Sequence, residues 1–202
     1  IEISDDIEVF LVKGDKCSLE IEADDNIHDA MGISVDGTTL RLMRVKKVSS
    51  YKKFSVRINY TENLKSVVGK NDSKITAIAD ISLADIKFKL TDQSQFFGNI
   101  KSKVFSIDAT DKCKAEMNIK TEKSSLSFSK NANLKALISS NELIIDMYQK
   151  AEGIIEGDAV DFKLRLDNNS EVDAKKLTAQ HVTLAMEGYT RTSVNAINTI
   201  SI

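Results

Sequence analysis

From Ile86 onward the chain alternates apolar and polar residues in short bursts that return at a fixed interval. Steps of 19 residues, and a last step of 20, lead from Ile86 to Phe105, Ser124, Leu143, Phe162 and Val182. Two places on lie Phe88, Ile107, Leu126, Ile145, Leu164 and Leu184, and two further Leu90, Ala109, Phe128, Met147, Leu166 and Met186. Of these, only Ser124 is polar. Between them stand Lys87, Lys89, Ser106, Asp108, Ser125, Ser127, Ile144, Asp146, Lys163, Arg165, Thr183 and Ala185. Period-two alternation held in phase over six copies predicts strands with one buried face, and no helix generates it.

Each copy then passes through a polar turn, such as Thr91-Asp92-Gln93, Asp111-Lys112 or Asp167-Asn168-Asn169, residue types that tolerate turn backbone and bond to their own main chain. Eight places after each start comes a small residue: Ser94, Cys113, Ala132, Ala151, Ser170 and Thr190. This column predicts a tight inner corner. A second, weaker apolar face follows with Phe96, Gly98 and Ile100, then Ala115, Met117 and Ile119, then Leu134, Ala136 and Ile138, and it blurs after Gly153.

A copy of about 19 residues is too short for a strand–helix–strand unit, which takes roughly 30 residues, and suits one turn of a β-solenoid. Coils stacked at about 4.8 Å cover one another's apolar stripes, so stability grows with each neighbour. The expectation is an all-β parallel β-helix forming one domain over residues 1–202, with about seven coils in 63–202. Residues 1–62 read as an irregular closing unit: strands at Ile7–Val12 and Ser18–Ala23, a short capped helical turn from Asp24, Asp25 and Asn26 to Met31, and a hairpin at Asp36-Gly37 between Ile33–Val35 and Thr39–Met43. Phe54, Val56 and Ile58 lead into the first coil near Leu64.

Composition narrows the function classes. Lysine and arginine total 28 against 30 acids, a formal charge of -2, so no strong field draws the chain to nucleic acid. No apolar run approaches the roughly 20 residues of a membrane-crossing helix, so the domain itself is not expected to insert. Ile1 is not an initiator methionine, which leaves room for a leader removed earlier. Cys17 and Cys113 allow at most one disulfide, and proline is absent, as suits interior strands that donate every backbone N–H.

Candidate chemistry is sparse. Asp108 and Asp146 share an outward column two coils apart, on the order of 9.5 Å, at the upper edge of the separation used by inverting glycosidases. That column reads Lys89, Asp108, Ser127, Asp146, Arg165, so each acid has a base one coil away. Such pairing favours ionised carboxylates, whereas a general acid needs the opposite, and an ion-pair ladder is the preferred reading. His28 and His181 lack a second ligand at metal spacing, and Cys113 lacks a base, so no metal, cofactor or catalytic residue is expected. Arg41, Arg44, Lys46 and Lys47, continued by Lys52 and Lys53, make the one basic cluster and the candidate surface contact, or simply a solvated edge that discourages strand pairing. Tyr51, Tyr60, Tyr148 and Tyr189 are too scattered to define a sugar-stacking groove.

The opening Ile7-Glu8-Val9-Phe10-Leu11-Val12, the hairpin Val35-Asp36-Gly37-Thr38-Thr39-Leu40-Arg41-Leu42 and the run from Phe54 to Val67 with its recurring short strands together resemble the head-GIN family of autotransporter-type adhesins of Gram-negative bacteria. Asn71-Asp72-Ser73 stands where that family's Ser-Gly-rich first corner is expected. The resemblance implies a right-handed β-helix, export to the cell surface, outer membrane or periplasm, and an adhesive role, and it implies no catalytic residue. The expectation is therefore a non-enzymatic binding module that presents its flank to a glycan or extracellular protein. Two alternatives stand beside it: a carbohydrate-active enzyme on the same scaffold, and a structural protein that self-assembles through its terminal coil, where Thr199-Ile200-Ser201-Ile202 reads as an uncapped strand.

Overall fold

A computed structural model of the protein describes residues 1–24, 30–46 and 54–202, and every regular element among them is a strand. In chain order these are β1 (Glu2–Ile3), β2 (Glu8–Lys13), β3 (Ser18–Ala23), β4 (Met31–Asp36), β5 (Thr39–Arg44), β6 (Phe54–Tyr60), β7 (Ser66–Gly69), β8 (Lys74–Ala77), β9 (Ile81–Leu90), β10 (Gln95–Ala109), β11 (Lys114–Phe128), β12 (Asn133–Met147), β13 (Glu152–Leu166), β14 (Glu171–Met186) and β15 (Arg191–Ser201). From β9 to β15 each strand pairs in parallel with the next, as predicted for a solenoid of about seven turns. The predicted columns stack without a slip: Phe105 lies between Ile86 and Ser124, and Leu143 between Ser124 and Phe162.

Each 15-residue strand bends in its middle. The ladder skips Lys103, Glu122, Asn141 and Val160, and two successive outward residues there, as at Lys103 and Val104, reset the alternation. The first half of each strand thus forms one face of the coil (face 1) and the second half the other (face 2), with the apolar columns between them. Phe96 of face 1 meets Phe88 of face 2 across this core at 4.3 Å between ring centroids, and Phe105 packs edge-on to Phe88 at 6.0 Å. Each fully buried side chain of this kind contributes about 1.5–3 kcal/mol.

The corner from face 2 back to face 1 is a two-residue left-handed turn. Asn71-Asp72, Asp92-Gln93, Asp111-Lys112, Lys130-Asn131, Gln149-Lys150 and Asn168-Asn169 all have positive φ, as does Asp5-Asp6. Nine of these fourteen residues are Asp or Asn, whose side chains tolerate left-handed backbone, so these corners turn without glycine, whereas the last, between β14 and β15, uses Gly188 at φ +69. Turns also bond along the axis: Asp72 N donates to Asp92 O at 2.8 Å, Gln93 N to Asp111 O at 2.9 Å, and Lys112 N to Lys130 O at 3.0 Å. The small-residue column lies just inside, with Ser94, Cys113, Ala132, Ala151 and Ser170 all buried, and Ser73 extends it by one coil.

Ser124, the one polar residue of the inward columns, is fully buried and satisfied. Its hydroxyl lies 2.5 Å from that of Thr121, which also donates to Ser140 Oγ at 3.1 Å. The second apolar face does not stop at Gly153; it continues as Ile155, Val172, Ala174 and Leu177. It looks blurred in sequence because β14 carries extra length where the register shifts between Ile154 and Glu156, which is also why the last step is 20. Gly157 stands beside that irregularity at φ +113, where a Cβ would lie 2.0 Å from the carbonyl oxygen of Ile138.

The N-terminal region does more than close an end. β1 pairs in parallel with β5 on one side and β7 on the other, and β2 likewise with β6 and β8. Residues 1–13 are therefore one coil spliced between strands that follow it in sequence, with Ile3, Ile7, Val9 and Leu11 fully buried. Beyond that coil the antiparallel pairs β3–β6 and β4–β5 close the solenoid, the second being the predicted Asp36-Gly37 hairpin. The helical turn expected from Asp24 to Met31 falls on residues 25–29, outside the described residues, and Met31 itself already belongs to β4. At the other end, among the described strands, β15 pairs with β14 alone, and Ile197 and Ile202 are 64% and 92% exposed.

Candidate functional site

Inward packing fixes what points outward. Because Phe96, Ile100, Met117 and Ile119 face the core, Phe97, Asn99, Glu116 and Asn118 must face solvent, and the parallel register lines them up. One outward column of face 1 reads Phe97, Glu116, Lys135, Ile154, Asp173, and the next reads Asn99, Asn118, Leu137, Glu156, Lys176. Together they line two adjoining open troughs on this flank.

The surface carries the Phe97 ring, a ladder of amides and several ion pairs. Phe97 lies between two ammonium groups, Lys74 Nζ at 5.9 Å and Lys114 Nζ at 5.7 Å from its centroid. Asn118 Nδ2 donates to Asn99 Oδ1 at 2.8 Å, and Asn99 Nδ2 to Asp80 Oδ1 at 3.1 Å, making an amide ladder along the axis. Lys114 reaches Glu116 at 2.6 Å, Lys176 reaches Glu156 at 2.9 Å, Lys74 reaches Glu8 at 2.7 Å and Lys175 reaches Asp173 at 2.8 Å. The bond from Lys114 holds the Glu116 carboxyl below its ordinary range, and the bond to Glu156 holds the Lys176 ammonium above its own. Beside these neutralised pairs, Leu137 and Ile154 are 52% and 51% exposed as diagonal neighbours.

The basic cluster sits elsewhere, on the first coils. Arg41 bonds Asp36 Oδ2 at 3.0 Å and lies 3.6 Å from Glu2, which Lys70 also holds at 2.6 Å. Arg44 approaches Asp6 at 3.6 Å and stands 5.5 Å over the Phe54 ring. Lys46 is exposed beside Asp5, Asp6 and Asp72, so acids are interleaved with these bases. Lys47, Tyr51, Lys52, Lys53 and His28 lie outside the described residues.

The outward column of face 2 keeps its predicted register; Arg165 Nε bonds Asp146 Oδ1 at 3.1 Å, and Arg165 Nη2 donates to the Tyr148 hydroxyl. Ser127 stands between Asp108 and Asp146, so the two acids do not face each other across a gap. His181 Nδ1 meets the Thr199 hydroxyl at 2.8 Å, Tyr60 is buried, and the Cys113 thiol, pushed up by burial, donates to the carbonyl of Thr110 at 2.8 Å. Cys17 and Cys113 are both free. Among the described residues no group of three or more His, Cys, Asp or Glu side chains converges as a metal site would. Sequence reasoning passed over the face 1 columns; the signal was there in Asn99 and Asn118, two amides nineteen apart at positions that inward alternation forces outward.

A stacked parallel solenoid with a broad flank of mixed charge defines the class, a rigid repeat scaffold that offers a surface. The chain belongs to the family described as "Putative auto-transporter adhesin, head GIN domain", whose model matches residues 1–118 and again 106–202. Solved structures share the fold over nearly the whole length. A "putative adhesin" of Bacteroides fragilis aligns with TM-score 0.73 and 14% identity, covering 100% of this chain and 91% of that one. One of Parabacteroides merdae aligns with TM-score 0.69 and 13% identity, covering 99% and 90%. A "putative lipid binding protein" of Parabacteroides distasonis aligns with TM-score 0.64 and 12% identity, covering 99% and 91%. No curated protein sequence matches.

Proposed function

We propose that this chain is a non-enzymatic binding module of the adhesin type, exported to the cell surface, outer membrane or periplasm, that holds a glycan or protein partner against the outer surface of face 1. One observation carries the reading: Leu137 and Ile154 stand half exposed at the middle of a flank on which Lys114 is paired with Glu116 and Lys176 with Glu156. A partner that covers these two side chains removes their apolar surface from water. The stacked coils keep the columns at fixed spacing, so little ordering is needed on binding. Membership of an adhesin-described family supports the same direction.

Beads coated with the domain, passed over immobilised glycans and matrix proteins, test the proposal. Retention lost on Leu137→Glu or Ile154→Glu, with no sugar released from any retained polymer, is the expected result. Retention unchanged by both substitutions would place the contact on another surface, and release of reducing ends would make the chain an enzyme. A second reading, self-assembly through the terminal coil, is favoured by the exposed Ile197 and Ile200 on β15 and Ile202 just after it. Light scattering that shows a strict monomer at high concentration would end it.

A further inference from the structure

We infer that the partner of face 1 is a neutral polysaccharide lying along the solenoid axis, an assignment that rests on the flank reading above. The charge balance comes first. Glu8, Glu116, Glu156 and Asp173 are each bonded by a lysine, and Asn99 bonds Asp80. Outside these pairs the same face carries both signs, Lys101, Lys120 and Lys135 beside Glu152 and Asp158, so a polyanion or a polycation would meet repulsion as well as attraction, and the surface complements a chain without charge.

Hydrogen bonding points the same way. Within the ladder Asn99 uses one amide hydrogen on Asp80 and its oxygen on Asn118, and Asn118 uses one hydrogen on Asn99. Each amide keeps a second hydrogen, and Asn118 keeps its oxygen, all held in place by the ladder. Donors and acceptors fixed at one-coil intervals suit a polymer that repeats hydroxyl groups at a regular step. An extended pyranose unit is about as long as a coil is high.

The apolar side chains complete the match. Phe97 and Ile154 share a column three coils apart, about 14 Å at the strand spacing, and Leu137 lies diagonally beside Ile154. These are islands between polar residues. A protein interface gathers its apolar anchors into one desolvated centre, whereas a sugar chain alternates apolar ring faces with hydroxyl edges.

Retention of the full chain on a neutral β-glucan, a neutral mannan, heparin and gelatin, each at low and high salt, tests the assignment. Binding to at least one neutral polysaccharide is expected, changed less than twofold by salt and reduced at least tenfold by Leu137→Glu and by Asn118→Ala. Because Leu137→Glu alters an exposed position, its unfolding midpoint serves to confirm that the fold is kept. Binding to heparin alone with steep salt dependence, or to none of the polysaccharides, overturns the assignment. Binding to gelatin alone, lost on Leu137→Glu, overturns it while leaving the flank reading intact; binding unchanged by every substitution overturns both.

Discussion

Replacing Leu11 by alanine measures whether the spliced coil of residues 1–13 is part of the core or a fraying end. Leu11 is 1% exposed, held between Ile58 of β6 and Ala77 of β8, and its carbonyl accepts from Ile78 N at 3.2 Å. Truncating a leucine so enclosed costs about 2–5 kcal/mol, since neither flanking strand can collapse into the space without leaving its own ladder. Ile3, Ile7, Val9 and Leu11 together contribute roughly 6–12 kcal/mol of burial, comparable to the whole stability of a typical domain. With a urea slope of about 2–3 kcal/mol per molar, Leu11→Ala lowers the midpoint by on the order of 1 to 2 M. Far-UV circular dichroism reads the strands of every coil at once, so the shift should appear in the main transition with its slope kept. A main transition that stays in place, preceded by a small early loss of signal, would show that residues 1–13 detach alone and that their two-sided pairing adds nothing to the rest.

Three further outcomes follow from particular residues. Gly157→Ala combines a φ of +113 with a Cβ 2.0 Å from the Ile138 carbonyl oxygen and should cost at least 1–3 kcal/mol by urea unfolding; Gly37→Ala, whose added Cβ meets nothing within 4 Å, should cost only about 1 kcal/mol, and equal losses would refute the clash. Cys17 is exposed and Cys113 buried with its thiol pushed up, so a thiol reagent should modify one cysteine in the native protein and the second only on unfolding, as counted by mass spectrometry. The bond from Lys70 holds the Glu2 carboxyl below its ordinary range, so its stabilisation is present above the unfolded value near 4.3 and lost as pH falls through the lower folded value; Glu2→Gln should flatten the decline of the urea midpoint below about pH 4, and an unchanged profile would assign that decline to other groups.

The sequence by itself determined the interior. Exclusion of water selects apolar residues at nearly every inward position, so Phe105, Leu126 and Phe128 announce their columns through a period that local alternation carries. The same holds for the corners, where Asn71-Asp72 or Asn168-Asn169 accept left-handed backbone within two residues. Tertiary structure alone decided which strands became neighbours where order in the chain and order in space part company. The alternation of Ile7 to Val12 suits any parallel edge, and nothing local in it says that β2 lies between β6 and β8. Ser124 broke its column in sequence because its partner, Thr121, is found only once the strand bends. The flank was legible as an outward parity and no more: solvent tolerates nearly any side chain at Phe97, Asn99 or Leu137, so no period marks them. Their joint meaning came from stacking, which set amides above amides and lysines beside glutamates one coil apart.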